Sequence, residues 1–210
     1  MTQEQQKFYD IKTYSDYDVV GFDIDYKVFV NHKDKEVVIQ FEESDSKLDW
    51  INNILFFPFP LLLDRKLVWT TLGYSIAYAS TNNKPMNEFC SMVITYFNYK
   101  VVIRGWSFGS AMAKIFARHF VIRTGRCIDE LTTFGDVKCW LNPFYSASKY
   151  CSKIRNYVCR NDLVTMCVPF FWRDKTCCVG DKFSFKKILN SKYYHQNYEE
   201  YDYSEYEKEE

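Results

Sequence analysis

The hydrophobic and polar positions of the chain follow the periods of strands and helices over most of its length. Two β-rich segments, 25–31 and 36–41, flank the polar residues 32–35, and this pattern predicts a β-hairpin. Further predicted elements follow in turn: helices over 72–78, 86–97 and 107–124, and strands from 101 and over 128–134 and 154–159. Such alternation favours an α/β fold whose parallel sheet begins with the hairpin.

One apolar segment, 54–63, fits neither period. Pro58 and Pro60 interrupt it, which argues against both a regular strand and a long helix. Two interpretations are open: the segment packs in the core, or it is a mobile flap that exposes hydrophobic side chains. The candidate flap residues are Phe56, Phe57, Phe59, Leu61 and Leu62.

The composition limits the domain organisation and the partners. A chain of 210 residues with 47% hydrophobic residues suits one globular domain with a substantial core. We place this domain at 1–198, because 199–210 is acidic and Tyr-rich, as expected of a disordered tail. Lys+Arg and Asp+Glu both number 27, so there is no electrostatic basis for nucleic-acid binding.

The cysteines and the first residues bear on the cellular compartment. Among the 8 cysteines there is no Cys-x-x-Cys spacing, Cys177 and Cys178 are adjacent, and several others lie in apolar runs, so we expect free thiols. The start of the chain is polar and lacks the apolar core of a secretion signal, and no run reaches transmembrane length. These features predict a reduced, cytoplasmic protein without a transmembrane segment.

The stretch 101–113 carries the strongest chemical signal. It passes from β-branched residues into Gly105, Ser107 and Gly109 at alternate positions, and then into small residues with helical propensity. Glycines on both sides of a serine let strand and helix approach closely, so that the turn exposes the hydroxyl and the N–H of Phe108. The pattern predicts a nucleophile elbow with Ser107 at its tip; an ordinary glycine-containing turn is the alternative.

A serine nucleophile needs a base to take its proton and a carboxylate to orient that base. Asp162 follows a predicted strand, at the carboxyl end where catalytic groups gather. Of the three histidines, His32 lies in the hairpin turn, and His119 lies about 18 Å from Ser107 along the predicted helix. Only His195 follows Asp162, as the order serine, acid, histidine requires. We therefore predict Ser107, Asp162 and His195 as the catalytic residues.

Six segments in the same order resemble the class 3 lipases, the fungal-type triacylglycerol lipase family of the α/β-hydrolases. The similar segments are 41–44 followed by Asp49, Trp50 and Asn53; 72–74; 105–113; 133–135; 160–164; and 195–198. The resemblance covers roughly 27–198. It implies an α/β-hydrolase fold, with a mostly parallel central sheet and helices on both faces.

The resemblance also implies an activity, that of a serine carboxylester hydrolase acting on lipid esters. Ser107 would attack the acyl carbonyl, His195 would transfer the proton and Asp162 would orient the imidazole. The backbone N–H groups of Phe108 and Ser44 would form the oxyanion hole. No metal or cofactor is implied. The implied partners are a lipid ester substrate and, transiently, a lipid interface.

The family's lid falls between the oxyanion segment and 72–74, which favours the flap interpretation of 54–63. The sequence departs from the family pattern at three places: 42–43 is Glu-Glu where Arg-Gly is usual, 136–138 is Asp-Val-Lys where Ser-Pro-Arg is usual, and Trp106 stands where the family commonly has His. A carboxylate pointing toward a developing oxyanion would oppose catalysis. Three alternatives therefore stay open: an inactive lipase-like binding protein, a soluble short-chain esterase, and a phospholipase.

Overall fold

A six-stranded sheet organises the fold. The computed structural model describes residues 26–41, 57–166, 170–180, 182–198, 201 and 203. The strands are β1 (Tyr26–Asn31), β2 (Glu36–Phe41), β3 (Pro58–Leu63), β4 (Lys66–Thr71), β5 (Lys100–Trp106), β6 (Ile128–Phe134), β7 (Cys151–Cys159) and β8 (Cys177–Val179). The α-helices are α1 (Leu72–Ser80), α2 (Lys84–Thr95), α3 (Phe108–Thr124), α4 (Phe185–Ile188) and α5 (Ser191–Gln196).

The order of the strands confirms the predicted α/β architecture. Along the sheet they run β1-β2-β5-β6-β7-β8; β1 is antiparallel to β2, and every other neighbouring pair is parallel. The first hairpin is therefore confirmed, as is the parallel sheet that follows it. Val101, Val102 and Ile103 in β5 are completely buried, because a central parallel strand is covered on both faces.

Hydrophobic side chains cover both faces of the sheet. The larger core contains the inner residues of α1, α2 and α3, packed on one face. On the other face, Phe134 and Tyr157 pack with Tyr198 and Tyr203, and Tyr194 of α5 lies against the same cluster. The fold is the α/β-hydrolase fold with helices on both faces, as expected. None of the described helices is long and apolar enough to cross a bilayer.

Tyr203 is buried, although it lies in the segment 199–210 that the sequence predicts to be a disordered tail. Its ring lies edge-on to Tyr157, with the centroids 4.6 Å apart, and its hydroxyl donates a hydrogen bond to the carbonyl of Tyr198 at 2.6 Å. A tyrosine can bury a large ring while its hydroxyl finds a partner, so an acidic, Tyr-rich composition does not prevent packing. Tyr203 is therefore packed against the domain.

The segment 54–63 also differs from its prediction, because most of it is the regular strand β3. This strand pairs with β4 in a separate two-stranded antiparallel sheet. The carbonyl of Phe57 accepts a hydrogen bond from Leu72 N at 2.8 Å. The antiparallel alternation then places the nitrogens of Pro58 and Pro60 on the side away from β4. Prolines are compatible with a strand at such positions, where no N–H is needed.

The β3–β4 hairpin separates the candidate flap residues from one another. Leu61 is buried in the larger core together with Leu63 of the same strand. Leu61 is therefore not among the exposed residues of the hairpin, and its side chain packs the hairpin onto the domain. The exposed candidates are Phe57 (72%), Phe59 (44%) and Leu62 (64%). Phe56 lies outside the described residues.

Candidate active site

Ser107 occupies the sharp turn between β5 and α3. Its backbone angles, φ 55° and ψ −120°, are rare for a residue with a side chain, and the surrounding structure must hold them. A Cβ on Gly105 would come within 2.3 Å of Gly109 O and 2.8 Å of the Cβ of Ala113, so only glycine lets the strand and the helix pass this closely. Ser107 N donates to Phe134 O at 2.8 Å, which fixes the turn to β6. The predicted elbow geometry is confirmed.

The structure brings Ser107, His195 and Asp162 together, as predicted. Ser107 Oγ is 2.5 Å from His195 Nε2, and His195 Nδ1 is 2.7 Å from Asp162 Oδ2. A carboxylate only accepts hydrogen bonds, so Nδ1 carries the proton that faces Asp162 and Nε2 accepts from the serine hydroxyl. This tautomer is the one a general base needs. His119 has other partners: its Nδ1 is 2.9 Å from Tyr78 Oη and its Nε2 is 3.2 Å from Asp64 Oδ1.

The carboxylate of Asp162 is fully buried and accepts several hydrogen bonds. Its Oδ2 accepts from the hydroxyl of Tyr198 at 3.0 Å as well as from His195, and its Oδ1 accepts from Val164 N at 2.9 Å. The Tyr198 hydroxyl in turn accepts from Cys159 N at 2.7 Å. Burial, together with the charge of Asp162, raises the pKa of Tyr198 well above its ordinary value. Tyr198 therefore stays protonated and remains a donor to the carboxylate.

Gly135 lies next to the imidazole ring of His195. The residue follows β6 with φ 57°, a conformation that favours glycine. A Cβ added there would lie 3.1 Å from Cε1 and 3.4 Å from Nδ1 of His195, closer than the ring allows without moving. The glycine therefore leaves the space in which the ring aligns with Ser107.

Of the two predicted oxyanion donors, the structure describes one. Phe108 is the first residue of α3, where backbone N–H groups have no helical acceptor and the helix dipole favours negative charge. Its ring is buried and meets Tyr74 edge-on, with the centroids 5.5 Å apart, so the position of this N–H is fixed by packing. Ser44 and the unusual 42–43 pair lie outside the described residues.

Some residues of the site were not recognised as such in the sequence. Tyr198 and Gly135 fall in segments that resemble the lipase family, but no individual role is evident for either from the sequence. Lys114 and Asp136 form a buried ion pair behind the site, and the signal that could have found it is a lysine within an Ala-rich helical stretch predicted to pack on the sheet. In the part of the chain that the structure describes, no cluster of three or more His, Cys, Asp and Glu could hold a metal.

The fold and the site together define a class of protein. A mostly parallel sheet with an elbow serine hydrogen-bonded to a histidine and, through it, to an aspartate is the arrangement of the serine-hydrolase type of α/β-hydrolase. More particularly, the chain belongs to the class 3 lipase family: the family model described as Lipase (class 3) matches residues 38–172, more than half of the chain. A comparison with curated protein sequences gives no significant match.

Solved structures of fungal lipases share the fold. A fungal lipase–inhibitor complex is 19% identical with a TM-score of 0.68, over 83% of this chain and 73% of that one. A triacylglycerol lipase whose catalytic centre is a serine protease triad is 21% identical with a TM-score of 0.66, over 78% and 64%. Lipase II from Rhizopus niveus is 18% identical with a TM-score of 0.61, over 73% and 62%. The chain thus spans less than two thirds of the last two proteins.

Proposed function

We propose that the chain is a serine carboxylester hydrolase that acts on lipid esters through an acyl-enzyme. The observation that supports this most strongly is the hydrogen-bonded series from Ser107 through His195 to Asp162, with the serine on a strained elbow. Membership of the class 3 lipase family supports the same reaction and a lipid ester as substrate.

Each residue of the series has a defined step. The hydroxyl proton of Ser107 moves to Nε2 of His195 while Oγ bonds to the acyl carbon, and the carbonyl π electrons move to oxygen. Asp162 stabilises the imidazolium that forms. The oxyanion meets the N–H of Phe108, with Ser44 expected as the second donor. The C–O bond to the alcohol then breaks, the alcohol takes the proton from His195, and water releases the acid by the same steps.

A lipid surface is the proposed partner of the outward face of the β3–β4 hairpin. There Leu62 stands opposite Leu67 and Pro60 opposite Trp69 across the two strands. Leu62 is 64% exposed and Leu67 is 54% exposed. Adjacent exposed apolar side chains of this kind favour contact with an apolar phase over water. An esterase that acts only on dissolved short-chain esters does not need an exposed apolar face of this kind.

The proposal is tested by ester hydrolysis with matched variants. Wild type, Ser107→Ala and His195→Ala are assayed on a water-soluble p-nitrophenyl ester and on an emulsified long-chain triglyceride. Ser91→Ala, an exposed serine on α2, and His32→Ala, an exposed histidine in the first hairpin turn, are the controls. We expect both site variants to lose nearly all activity to a similar extent, because the residues act as a unit, and both controls to keep it.

Other outcomes decide between the alternatives. Activity on the soluble ester alone would favour a short-chain esterase. A folded wild-type protein without activity on either ester would favour an inactive binding protein. Full activity in Ser107→Ala would contradict the proposal.

A further inference from the structure

A buried ion pair lies behind the candidate active site. The Nζ of Lys114 on α3 is 2.8 Å from Oδ1 of Asp136, which follows β6, and both side chains are fully buried. Lys114 also donates to the carbonyl of Val137, and Ser110, one turn earlier on the helix, accepts a hydrogen bond from Val137 N at 3.1 Å. Two successive turns of α3 therefore hold the chain just after β6.

The environment of Lys114 favours its protonated form. Burial by itself lowers the pKa of Lys114, but the nearby negative charge of Asp136 and the hydrogen bond between them more than offset this, so the pKa is raised above its ordinary value. The pair is thus a fixed electrostatic contact between α3 and the segment after β6.

The pair is directly connected to two residues of the candidate site. Ser107 immediately precedes α3, two turns before Lys114 on the same rigid helix. Gly135, the neighbour of Asp136 in the chain, stands against the ring of His195, where an added Cβ would approach Cε1 to 3.1 Å. A change in the distance between Lys114 and Asp136 is therefore expected to change the distance between Ser107 and Gly135. Because Gly135 lies against the ring of His195, the alignment of Ser107 with the imidazole would change as well.

A second connection reaches the acid. Nη1 of Arg173 donates to the carbonyl of Asp136 at 3.2 Å and to the carbonyl of Thr165 at 3.1 Å. The hydroxyl of Thr165 donates to the carbonyl of Asp162 at 2.8 Å. The loop that carries Asp162 is thereby tied to the same segment after β6.

Stability alone does not explain a pair of this kind. Removing two charges from water costs free energy that their attraction offsets only with excellent geometry and full hydrogen bonding, and well-packed apolar side chains are often at least as stable. Oδ2 of Asp136 is buried without a hydrogen-bond partner within the described residues. What the pair supplies, and an apolar contact does not, is a defined distance between two elements.

We propose that Lys114 and Asp136 are positioning residues, which set the distance between the helix after Ser107 and the segment that supports His195. This inference rests on the proposed hydrolase function. Neither residue touches the reacting atoms. The effect of the pair is therefore expected in turnover, which depends on alignment of the serine and the imidazole, and not in KM.

The test separates positioning from stability with a double variant. Each single change, Lys114→Met or Asp136→Asn, leaves one buried charge uncompensated and lowers Tm. The double variant Lys114→Met/Asp136→Asn removes both charges and should recover most of the lost Tm. We expect its kcat on a soluble ester to stay about 10- to 100-fold below that of wild type, with KM within about twofold, because small misplacements of reacting groups cost this much.

A matched control lies near the far end of the same helix. Asp64 and Arg123 form an ion pair with Oδ1 and Nη2 2.6 Å apart. The double variant Asp64→Asn/Arg123→Met should lower Tm without changing kcat. If Lys114→Met/Asp136→Asn does not fold, Asp136→Glu keeps both charges but lengthens the side chain by one methylene. Positioning then predicts a fall in kcat at unchanged KM.

The outcomes distinguish this inference from the proposed function. A wild-type protein without hydrolase activity would overturn both. An active wild type, together with a double variant that recovers Tm and kcat equally, would overturn only the positioning role, as would an Asp136→Glu protein with wild-type turnover. Recovery of Tm without recovery of kcat supports it.

Discussion

Tyr198 and His195 hydrogen-bond to the same oxygen of Asp162. The Tyr198 hydroxyl lies 3.0 Å from Oδ2 and the Nδ1 of His195 lies 2.7 Å from it. The two contacts orient the carboxylate from two directions. The hydrogen bond from Tyr198 thus helps to orient the carboxylate of Asp162, as the carboxylate in turn orients the imidazole of His195.

Tyr198→Phe should reduce both activity and stability. The variant loses a hydrogen bond to a charged group, which is worth about 1.5–3 kcal/mol, and removes an acceptor of the buried Cys159 N–H. We expect kcat to fall about tenfold and the free energy of unfolding to fall by about 2 kcal/mol. The raised pKa of Tyr198 keeps the hydroxyl protonated from pH 6 to 9, so the fall in kcat should be constant over that range. Steady-state kinetics and urea unfolding measure both quantities.

The control for this change is Tyr201→Phe. It removes a hydroxyl that donates to the carbonyl of Tyr194 at 3.0 Å and leaves the hydrogen bond from Tyr198 to Asp162 in place. Stability should fall modestly and kcat should not change. Equal kcat in the two variants would argue against a role for Tyr198 in orienting Asp162.

Gly135→Ala should impair catalysis, whereas Gly125→Ala should not. Both glycines have positive φ, 57° and 70°, so alanine costs each backbone about 1–2 kcal/mol. Only at Gly135 does the added Cβ press on a ring, that of His195; at Gly125 nothing lies within 4 Å. The two variants should therefore have similar losses of Tm but very different kcat values. A Gly135→Ala protein as active as Gly125→Ala would show that the space behind the imidazole is not critical.

The ion pair at Asp64 predicts a pH-dependent contribution to stability. The hydrogen bond from Arg123 lowers the pKa of Asp64 to about 2, against some opposing effect of burial. Because the folded pKa lies below the ordinary value, the stabilisation is present above about pH 4 and is lost as the pH falls toward 2. Because this pair is partly exposed, we expect the free energy of unfolding of Asp64→Asn at pH 6 to lie about 1 kcal/mol below that of wild type. Urea unfolding from pH 6 downward should show the difference shrinking below pH 4; a difference independent of pH would refute this origin.

The β3–β4 hairpin offers a test of contact with lipid. Leu62→Ser/Leu67→Ser changes an exposed cross-strand pair, so activity on emulsified triglyceride should fall severalfold while activity on a soluble ester is retained. Leu61→Ala on the inner face should instead destabilise the fold by about 2–5 kcal/mol, because it opens a cavity in the core. Equal losses on both esters in the Leu62/Leu67 variant would argue against lipid contact through this face.

The sequence predicted those features that depend on local chemistry. The elbow at Ser107 is encoded within a few residues, since Gly105 of β5 lies in close contact with Gly109 and Ala113 of the helix that follows. The end of α3 is also local, because Gly125 with φ 70° is its C-terminal cap. Asp162 is indicated by the predicted strand that ends just before it, and His195 by its position after Asp162, which the other two histidines lack.

Features that depend on distant partners were missed or misjudged. In the sequence, Pro58 and Pro60 indicate an interrupted strand. They are tolerated because their nitrogens face away from β4, and this orientation depends on strand pairing that the local sequence does not reveal. Lys114 gave no sign of its partner, since Asp136 lies 22 residues further along the chain and a buried charge contradicts the usual helical pattern. The acidic composition around Tyr203 indicates a disordered tail, because composition does not reveal the aromatic cluster into which this residue packs.

The most direct test of the central claim is the site of covalent labelling by a fluorophosphonate. The reagent bonds to a serine oxygen only where a base removes its proton, so it reports the activated hydroxyl without requiring the natural ester. Peptide mass spectrometry should find the phosphonyl adduct on Ser107 in wild type and in Ser91→Ala, and no adduct in Ser107→Ala or His195→Ala. A folded wild-type protein that stays unlabelled, or an adduct on another serine, would contradict the assignment of Ser107 as the nucleophile.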